Sequence, residues 1–176
     1  TEVQVSDAGW TDEFKNLLAS EGMGDGGYAV PVGQGSQQLA SLPWASLDEI
    51  QLTFNEDVEV AKDDLSVTGT EVANYTVSGF SYDDASYTAT WTLGDPVSSA
   101  DEVTITLDDA DVVSKATGAQ LDGDWDNPTD RGDAESDVFP SGDNAEGGEF
   151  AFRVNTLPGD ATGDGLVDGL DLSVLS

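Results

Sequence analysis

The chain has 176 residues, of which 36 are acidic and five are basic, so its formal net charge is −31 at pH 7. This charge would repel a nucleic-acid backbone or an anionic membrane surface, which excludes nucleic acid as a direct partner. Histidine and cysteine are absent, which excludes histidine-based triads, thiol chemistry and the usual zinc, copper or haem sites. Sites built from oxygen ligands remain open, with Ca²⁺ first among them.

One short helix is predicted near the N-terminus. Its apolar face recurs at helical spacing and consists of Trp10, Phe14, Leu17 and Leu18. Thr11 or Asp12 can cap the start of this helix, and Gly22 can end it. Short alternating segments on either side of the helix predict strands around Val3 and Tyr28.

The middle of the chain alternates apolar and polar residues, which is typical of strands with one buried face. The apolar positions of these runs are Ile50, Leu52 and Phe54; Tyr75 and Val77; Tyr87, Ala89, Trp91 and Leu93; Val103, Ile105 and Leu107; and Phe150, Phe152 and Val154. Clusters of Asn, Asp, Gly and Pro separate the runs, as turns require. Short strands at this spacing predict a mainly β fold, an antiparallel β-sandwich. No apolar run is long enough to cross a membrane, so no membrane insertion is expected.

Residues 122–148 are rich in Asp, Gly and Pro and lack periodicity, so they are predicted to form a long loop. Two interpretations of this acidic loop stay open. It is either a solvated loop or a second metal site that uses some of Asp122, Asp124, Asp126 and Asp130. Two tryptophans outside the alternating runs, Trp44 and Trp125, are candidates for stacking on a carbohydrate ring, and the sequence does not separate this role from core packing.

Residues 160–171 have the spacing of a twelve-residue EF-hand loop, the strongest functional signal in the sequence. Positions 1, 3, 5, 9 and 12 carry oxygen donors, which are Asp160, Thr162, Asp164, Asp168 and Asp171. Gly165 at position 6 permits the sharp turn, and Leu166 supplies its carbonyl at position 7. Val167 is expected to contact a neighbouring loop, and Leu172 and Leu175 of the following helix to face a core. The motif predicts a Ca²⁺ site.

The stretch Leu157-Pro158-Gly159 and the loop after it resemble the first half of a type I dockerin, whose calcium loops carry Asp at position 12. The resemblance implies that the calcium ligands are Asp160, Thr162, Asp164, the Leu166 carbonyl, Asp168 and Asp171. The sequence departs from the family at position 3, where Thr162 replaces the usual Asn. Dockerins pair two such loop-helix segments and dock onto cohesin domains, commonly in assemblies that degrade polysaccharide. This sequence holds one segment.

The rest of the chain is similar to the Ig-like module found beside dockerin-type repeats in large secreted proteins of planctomycete-like bacteria. Four segments carry this likeness: LPWASLDEIQLTFNEDVEV at 42–60, FSYDDASYTATWTL at 80–93, TGAQLDGDW at 117–125, and FPSGDNAEGGEFAFRVNTLPGD at 139–160. The resemblance implies an Ig-like β-sandwich over residues 1–157, with a partial dockerin-type calcium-binding repeat over residues 158–176. It also implies an extracellular or cell-surface location, and it names no reaction.

These observations predict a non-catalytic, calcium-stabilised module that serves adhesion, spacing or assembly, through a cohesin-like partner or self-association. One alternative is a calcium-bridged structural subunit of a surface layer or fibre. A second is a carbohydrate-binding accessory module that uses Trp44 and Trp125. A third is a glycoside hydrolase in a polysaccharide-degrading system, because two carboxylates suffice for that reaction. No carboxylate pair stands out, so no catalytic residue is assigned.

Overall fold

The structure is a computed structural model that describes residues 2–131 and 135–174. Strands dominate the described residues, with one short helix near each end. The elements in chain order are β1 (Glu2–Ser6), α1 (Asp12–Ser20), β2 (Tyr28–Ala29), β3 (Ser41–Leu42), β4 (Leu47–Thr53), β5 (Val58–Glu59), the 3-10 helix η1 (Lys62–Asp64), β6 (Leu65–Gly69), β7 (Val77–Asp83), β8 (Thr88–Val97), β9 (Asp101–Leu107), β10 (Val113–Ser114), β11 (Phe150–Thr156) and α2 (Gly169–Val174). The predicted mainly β fold is confirmed.

The strands form two larger sheets and one small pair. The five-stranded sheet has the order β2-β1-β4-β8-β7, and all its neighbours are antiparallel. The four-stranded sheet has the order β3-β11-β9-β6, in which β3 and β11 run parallel and the other pairs antiparallel. Strands β10 and β5 make the short antiparallel pair. Antiparallel pairing is therefore confirmed, with β3–β11 as the exception.

Alternation along the strands builds the core. In β9, the odd-numbered residues from Asp101 to Leu107 are buried and the even-numbered ones are not, because successive side chains point to opposite faces of a sheet. The buried apolar side chains of both larger sheets belong to one cluster. Trp91 and Ile105, one from each sheet, are 0% and 1% exposed, and the Trp91 Nε1–H donates to the Ala61 carbonyl at 3.2 Å.

Helix α1 lies where the sequence predicts it. The Thr11 hydroxyl accepts the Phe14 N–H at 3.3 Å and so caps the first turn. Beyond the C-terminal end, Gly22 adopts a φ of 71°, a conformation that favours glycine. The expectation that Leu17 shares the apolar face is wrong, because its side chain is 52% exposed while that of Leu18 is buried. Adjacent residues diverge by about 100° around a helix, so a narrow contact covers only one of them.

The strand predicted from Tyr87 onward begins one residue later. Tyr87 has a φ of 56° and lies in the turn between β7 and β8, with its side chain exposed. Its carbonyl accepts the Phe54 N–H at 2.9 Å, which joins this turn to the end of β4. The side chain therefore does not continue the buried row formed by Ala89, Trp91 and Leu93.

Candidate metal centre

The tail, residues 157–174, begins at the edge of the four-stranded sheet. Directly after β11, the Leu157 N–H donates to the Leu42 carbonyl at 3.0 Å, and the Gly159 N–H donates to the Pro43 carbonyl at 2.9 Å. These bonds extend the pairing of β11 with β3 past the end of the strand. They fix the residue that precedes the predicted calcium loop to the body of the protein.

Asp160, at position 1 of the loop, is completely buried. Its Oδ1 accepts the Asp164 N–H at 3.1 Å, and its Oδ2 accepts the Gly165 N–H at 2.7 Å. Gly165 makes this approach with a φ of 88°, which favours glycine. The backbone of positions 5 and 6 thus curls around the first carboxylate, as the loop spacing predicts.

Asp171, at position 12, closes the other end of the loop. It lies in the first turn of α2, and its side chain is 4% exposed. One oxygen accepts both the N–H and the hydroxyl of Thr162, each at 3.1 Å, and the other accepts the Asp168 N–H at 2.7 Å. The Asp168 N–H, followed by the Thr162 donors, lowers the pKa of Asp171 despite the opposing effect of burial.

Thr162 connects the two ends of the loop, because its hydroxyl also lies 3.4 Å from Asp160 Oδ1. The structure therefore brings positions 1, 3 and 12 together. Asp164 and Asp168 are exposed, and each accepts the N–H two residues further on, at 2.9 and 2.7 Å. Their carboxylates face the solvent side of the loop, and no three of the four described tail carboxylates have oxygens within 4.8 Å of one another.

Apolar side chains of the tail behave differently from the expectation. Leu172 is 72% exposed, so the prediction that it faces a core is wrong: no described element covers that side of the six-residue helix α2. Leu175 lies outside the described residues. The Val167 side chain is 57% exposed and lies next to Gly159 within the tail itself.

The donor set fits a hard divalent cation. All side-chain donors are oxygens, and four of the five are carboxylates, the ligands that Ca²⁺ prefers. Ion pairs among the described residues join Lys62 to Asp63 and Lys115 to Asp57, so none involves the buried Asp160. A buried charge is stabilised by a counter-charge as well as by hydrogen bonds, and a cation in the loop would supply that counter-charge.

A second cluster lies in the acidic loop. One oxygen from each of Asp122, Asp124 and Asp143 lies within 4.8 Å of the others, an arrangement that can hold a metal ion. Within the described part of the chain, this is the only group of three acidic side chains that meets so closely. Two members of the predicted set, Asp122 and Asp124, therefore come together, whereas Asp126 and Asp130 stay outside the cluster.

Sequence reasoning missed Asp143, which reaches the cluster because the acidic loop folds back on itself. Asp122 forms an isolated bridge with Gly147, and its carboxylate accepts the N–H groups of Asp143 at 2.9 Å and Asn144 at 2.7 Å. Gly142 and Gly148 have positive φ values, and a Cβ at either position would overlap the carboxylate of Asp122 or Asp124. These glycines were the one available sequence signal.

The candidate carbohydrate-stacking residues lie in aromatic clusters. Trp125 is 9% exposed and stacks on Phe139, with ring centroids 4.6 Å apart. Trp44 is half-buried and contacts Trp10 and Tyr28 at centroid distances of 5.2 and 4.9 Å. A cavity of about 400 Å³, with Phe139 and Asp122 in its wall, lies beside the second cluster. Carbohydrate stacking by either tryptophan stays a prediction.

Comparisons with protein-family models, with curated proteins and with solved structures found no match for this chain. None of the helices in the described part of the chain has the length and apolar character of a membrane span. The chemistry of the tail loop and of the acidic loop is therefore the basis for assigning a function.

Proposed function

We propose that the chain is a non-catalytic, calcium-stabilised module of an extracellular or cell-surface protein. It combines an Ig-like β-sandwich, residues 1–157, with a partial dockerin-type calcium-binding repeat, residues 158–176. The observation that carries the proposal is the closure of the tail loop by its first and twelfth residues: Asp160 and Asp171 are both buried, and both contact Thr162.

The ligands in this proposal are the oxygens of Asp160, Thr162, Asp164, Asp168 and Asp171 and the carbonyl of Leu166. Hydrogen bonds already place the backbone around the first and last of these carboxylates. A bound Ca²⁺ would neutralise the mutual repulsion of the clustered negative charges and so stabilise the folded tail. A net charge of −31 is also tolerable where salt and divalent cations screen it.

The single apolar cluster shared by both larger sheets supports the sandwich. A role in assembly is supported by exposed apolar side chains on the tail, which suit a protein partner such as a cohesin-like domain or another copy of the chain. These side chains are Leu166, Val167, Leu170, Leu172 and Val174.

The surroundings of Asp64 also agree with a non-catalytic role. The pKa of this residue is raised by burial and by nearby carboxylates. However, its carboxylate accepts the Ala61 N–H at the start of η1, and the residue is not part of the cavity wall.

The decisive experiment is a calorimetric Ca²⁺ titration of the chelated protein beside an Asp164→Asn/Asp168→Asn variant. We expect saturable binding by the natural sequence and the loss of one equivalent in the variant. The matched control, Asp25→Asn/Asp95→Asn, removes the same charge from exposed positions outside the tail and should bind as the natural sequence does. Equal binding by both variants, or no binding by the natural sequence, would overturn the proposal.

Sedimentation of the same samples tests the assembly role. A module that spaces or docks should stay monomeric when Ca²⁺ is added without a partner. Calcium-dependent growth of the sedimenting species would instead identify a subunit of a surface layer or fibre.

A further inference from the structure

Arg131 joins the acidic loop to the tail. Its Nη2–H donates to the Gly163 carbonyl at 2.5 Å. Its guanidinium also packs directly on the backbone of Gly165, so closely that a Cβ at that position would overlap Nη1. Gly163 and Gly165 are positions 4 and 6 of the tail loop, and the Gly165 N–H is the donor to the buried Asp160 carboxylate.

Arg131 reaches the loop through its backbone and not through its carboxylates. None of the four loop carboxylates lies within ion-pair distance of the guanidinium; the ion pairs of the described residues involve Lys62 and Lys115. The carboxylate oxygens therefore remain available to a cation while the guanidinium holds the turn between positions 4 and 6. A planar guanidinium is suited to this task, because its N–H groups donate in fixed directions.

We propose that Arg131 is a positioning residue that keeps the tail loop closed and thereby raises its affinity for Ca²⁺. The effect of Arg131 on calcium affinity rests on the proposed calcium function, whereas its effect on the closure of the loop does not. Holding the loop in its ligand-bearing conformation before the cation arrives removes part of the ordering cost from the binding step.

An opposing effect must be separated from positioning, since a positive charge near the loop also repels a cation. Arg131→Lys keeps the charge and removes the planar donor, whereas Arg131→Met removes both. Lys15→Met is the matched control, because it removes one positive charge from helix α1. If Arg131 positions the loop, both Arg131 variants should bind Ca²⁺ about tenfold more weakly, as expected for losing a hydrogen bond from a charged donor. The control should bind at least as tightly as the natural sequence.

Amide hydrogen exchange in chelator tests the closed loop without calcium. The Gly165 N–H should exchange slowly in the natural sequence and faster in Arg131→Lys and Arg131→Met, while amides of β9 should not change. Unchanged exchange and unchanged calcium affinity in both variants would overturn the positioning role. So would tighter calcium binding by Arg131→Met, because repulsion would then dominate. If the natural sequence binds no calcium but Gly165 exchange still depends on Arg131, the calcium function fails and the closed loop stands.

Discussion

The body, which contains the β-sheets, and the tail differ in the kind of side chain that each of them buries. In the body, most of the buried positions are apolar, and side chains such as Ile105 and Phe152 have almost no exposed surface. In the tail, the buried side chains are the carboxylates of Asp160 and Asp171, while apolar side chains such as Leu172 face solvent. Apolar burial needs no ion, whereas buried carboxylates depend on their donors and on nearby charge. We therefore expect the stability of the two regions to respond to different changes.

The largest loss of stability is expected from a substitution that creates a cavity in the core of the body. Ile105 lies in β9 between β11 and β6 and is 1% exposed, so Ile105→Ala should lower the free energy of unfolding by about 2–5 kcal/mol. Urea unfolding followed by tryptophan fluorescence measures this loss, which should be the same with calcium and with chelator. The control Leu17→Ala, at an exposed helical position, should shift the free energy by less than about 0.5 kcal/mol. If the loss of free energy caused by Ile105→Ala depended on calcium, the two regions would not be independent.

Asp101 tests the difference between the two regions from within the body, because it is a buried carboxylate there. Its oxygens accept the N–H groups of Glu71 at 2.9 Å and Val72 at 3.1 Å, and the Tyr75 hydroxyl at 2.7 Å. Burial opposes ionisation, but these donors outweigh it and lower the pKa of Asp101. We expect Asp101→Asn to cost about 2 kcal/mol at pH 7, because one amide cannot accept from all these donors.

The sign of the pH dependence follows from the lowered pKa of Asp101. The ionised group stabilises the fold fully above its unfolded-state pKa of about 4, and this contribution is lost as the pH falls through the lower folded-state pKa. Unfolding measured from pH 7 to pH 2 should therefore show a shallower acid loss in Asp101→Asn than in the natural sequence. Asp95→Asn, at an exposed position, should keep the natural slope. Identical slopes in all three proteins would contradict the assignment.

The features predicted from the sequence are those set by local spacing. Alternation reveals β9 and β11, helical spacing with Thr11 reveals α1, and the twelve-residue pattern anticipates the turn at Gly165. Strand β6 was missed, because five residues around Leu65 and Val67 give too short a pattern, and its pairing with β9 is distant in sequence. The exposure of Leu172 depends on which elements cover α2, and spacing alone does not contain that information.

Distance along the chain also explains the partial prediction of the second cluster. Asp122 and Asp124 are two residues apart, so extended backbone places them on one side. The third member, Asp143, is 21 residues away from Asp122 and arrives only because the acidic loop folds back. Asp126 does not join the cluster. Its N–H donates to the Asp137 carboxylate at 2.6 Å, so the chain at this point is bound to a different partner.

Removal of calcium is expected to have a smaller effect than a core mutation and to act on the tail more than on the body. With chelator, we expect faster amide exchange and faster proteolysis within residues 160–174, because the carboxylates there lose their counter-charge. The urea midpoint of the body should move little, since its core contains no calcium ligand. Mg²⁺ at the same concentration is the control, because its smaller octahedral shell fits such loops poorly. A large calcium-dependent shift of the body midpoint would show that the buried Asp160 couples both regions into one cooperative unit.

The smallest effect is expected at the acidic loop, which shares features of both regions. Its Trp125 packs in the core, while Asp122, Asp124 and Asp143 form an open cluster with two exposed members. Few protein ligands and an exposed site favour weak binding, with a dissociation constant of about 0.1–1 mM for Ca²⁺. Asp122→Asn should remove this weak phase from the titration and leave the tight phase of the tail unchanged. The unfolding free energy should fall by less than about 1 kcal/mol, because the asparagine oxygen still accepts from Asp143 or Asn144. Loss of the tight phase in this variant would show that the two acidic sites are linked, and Arg131 is the contact through which that linkage would act.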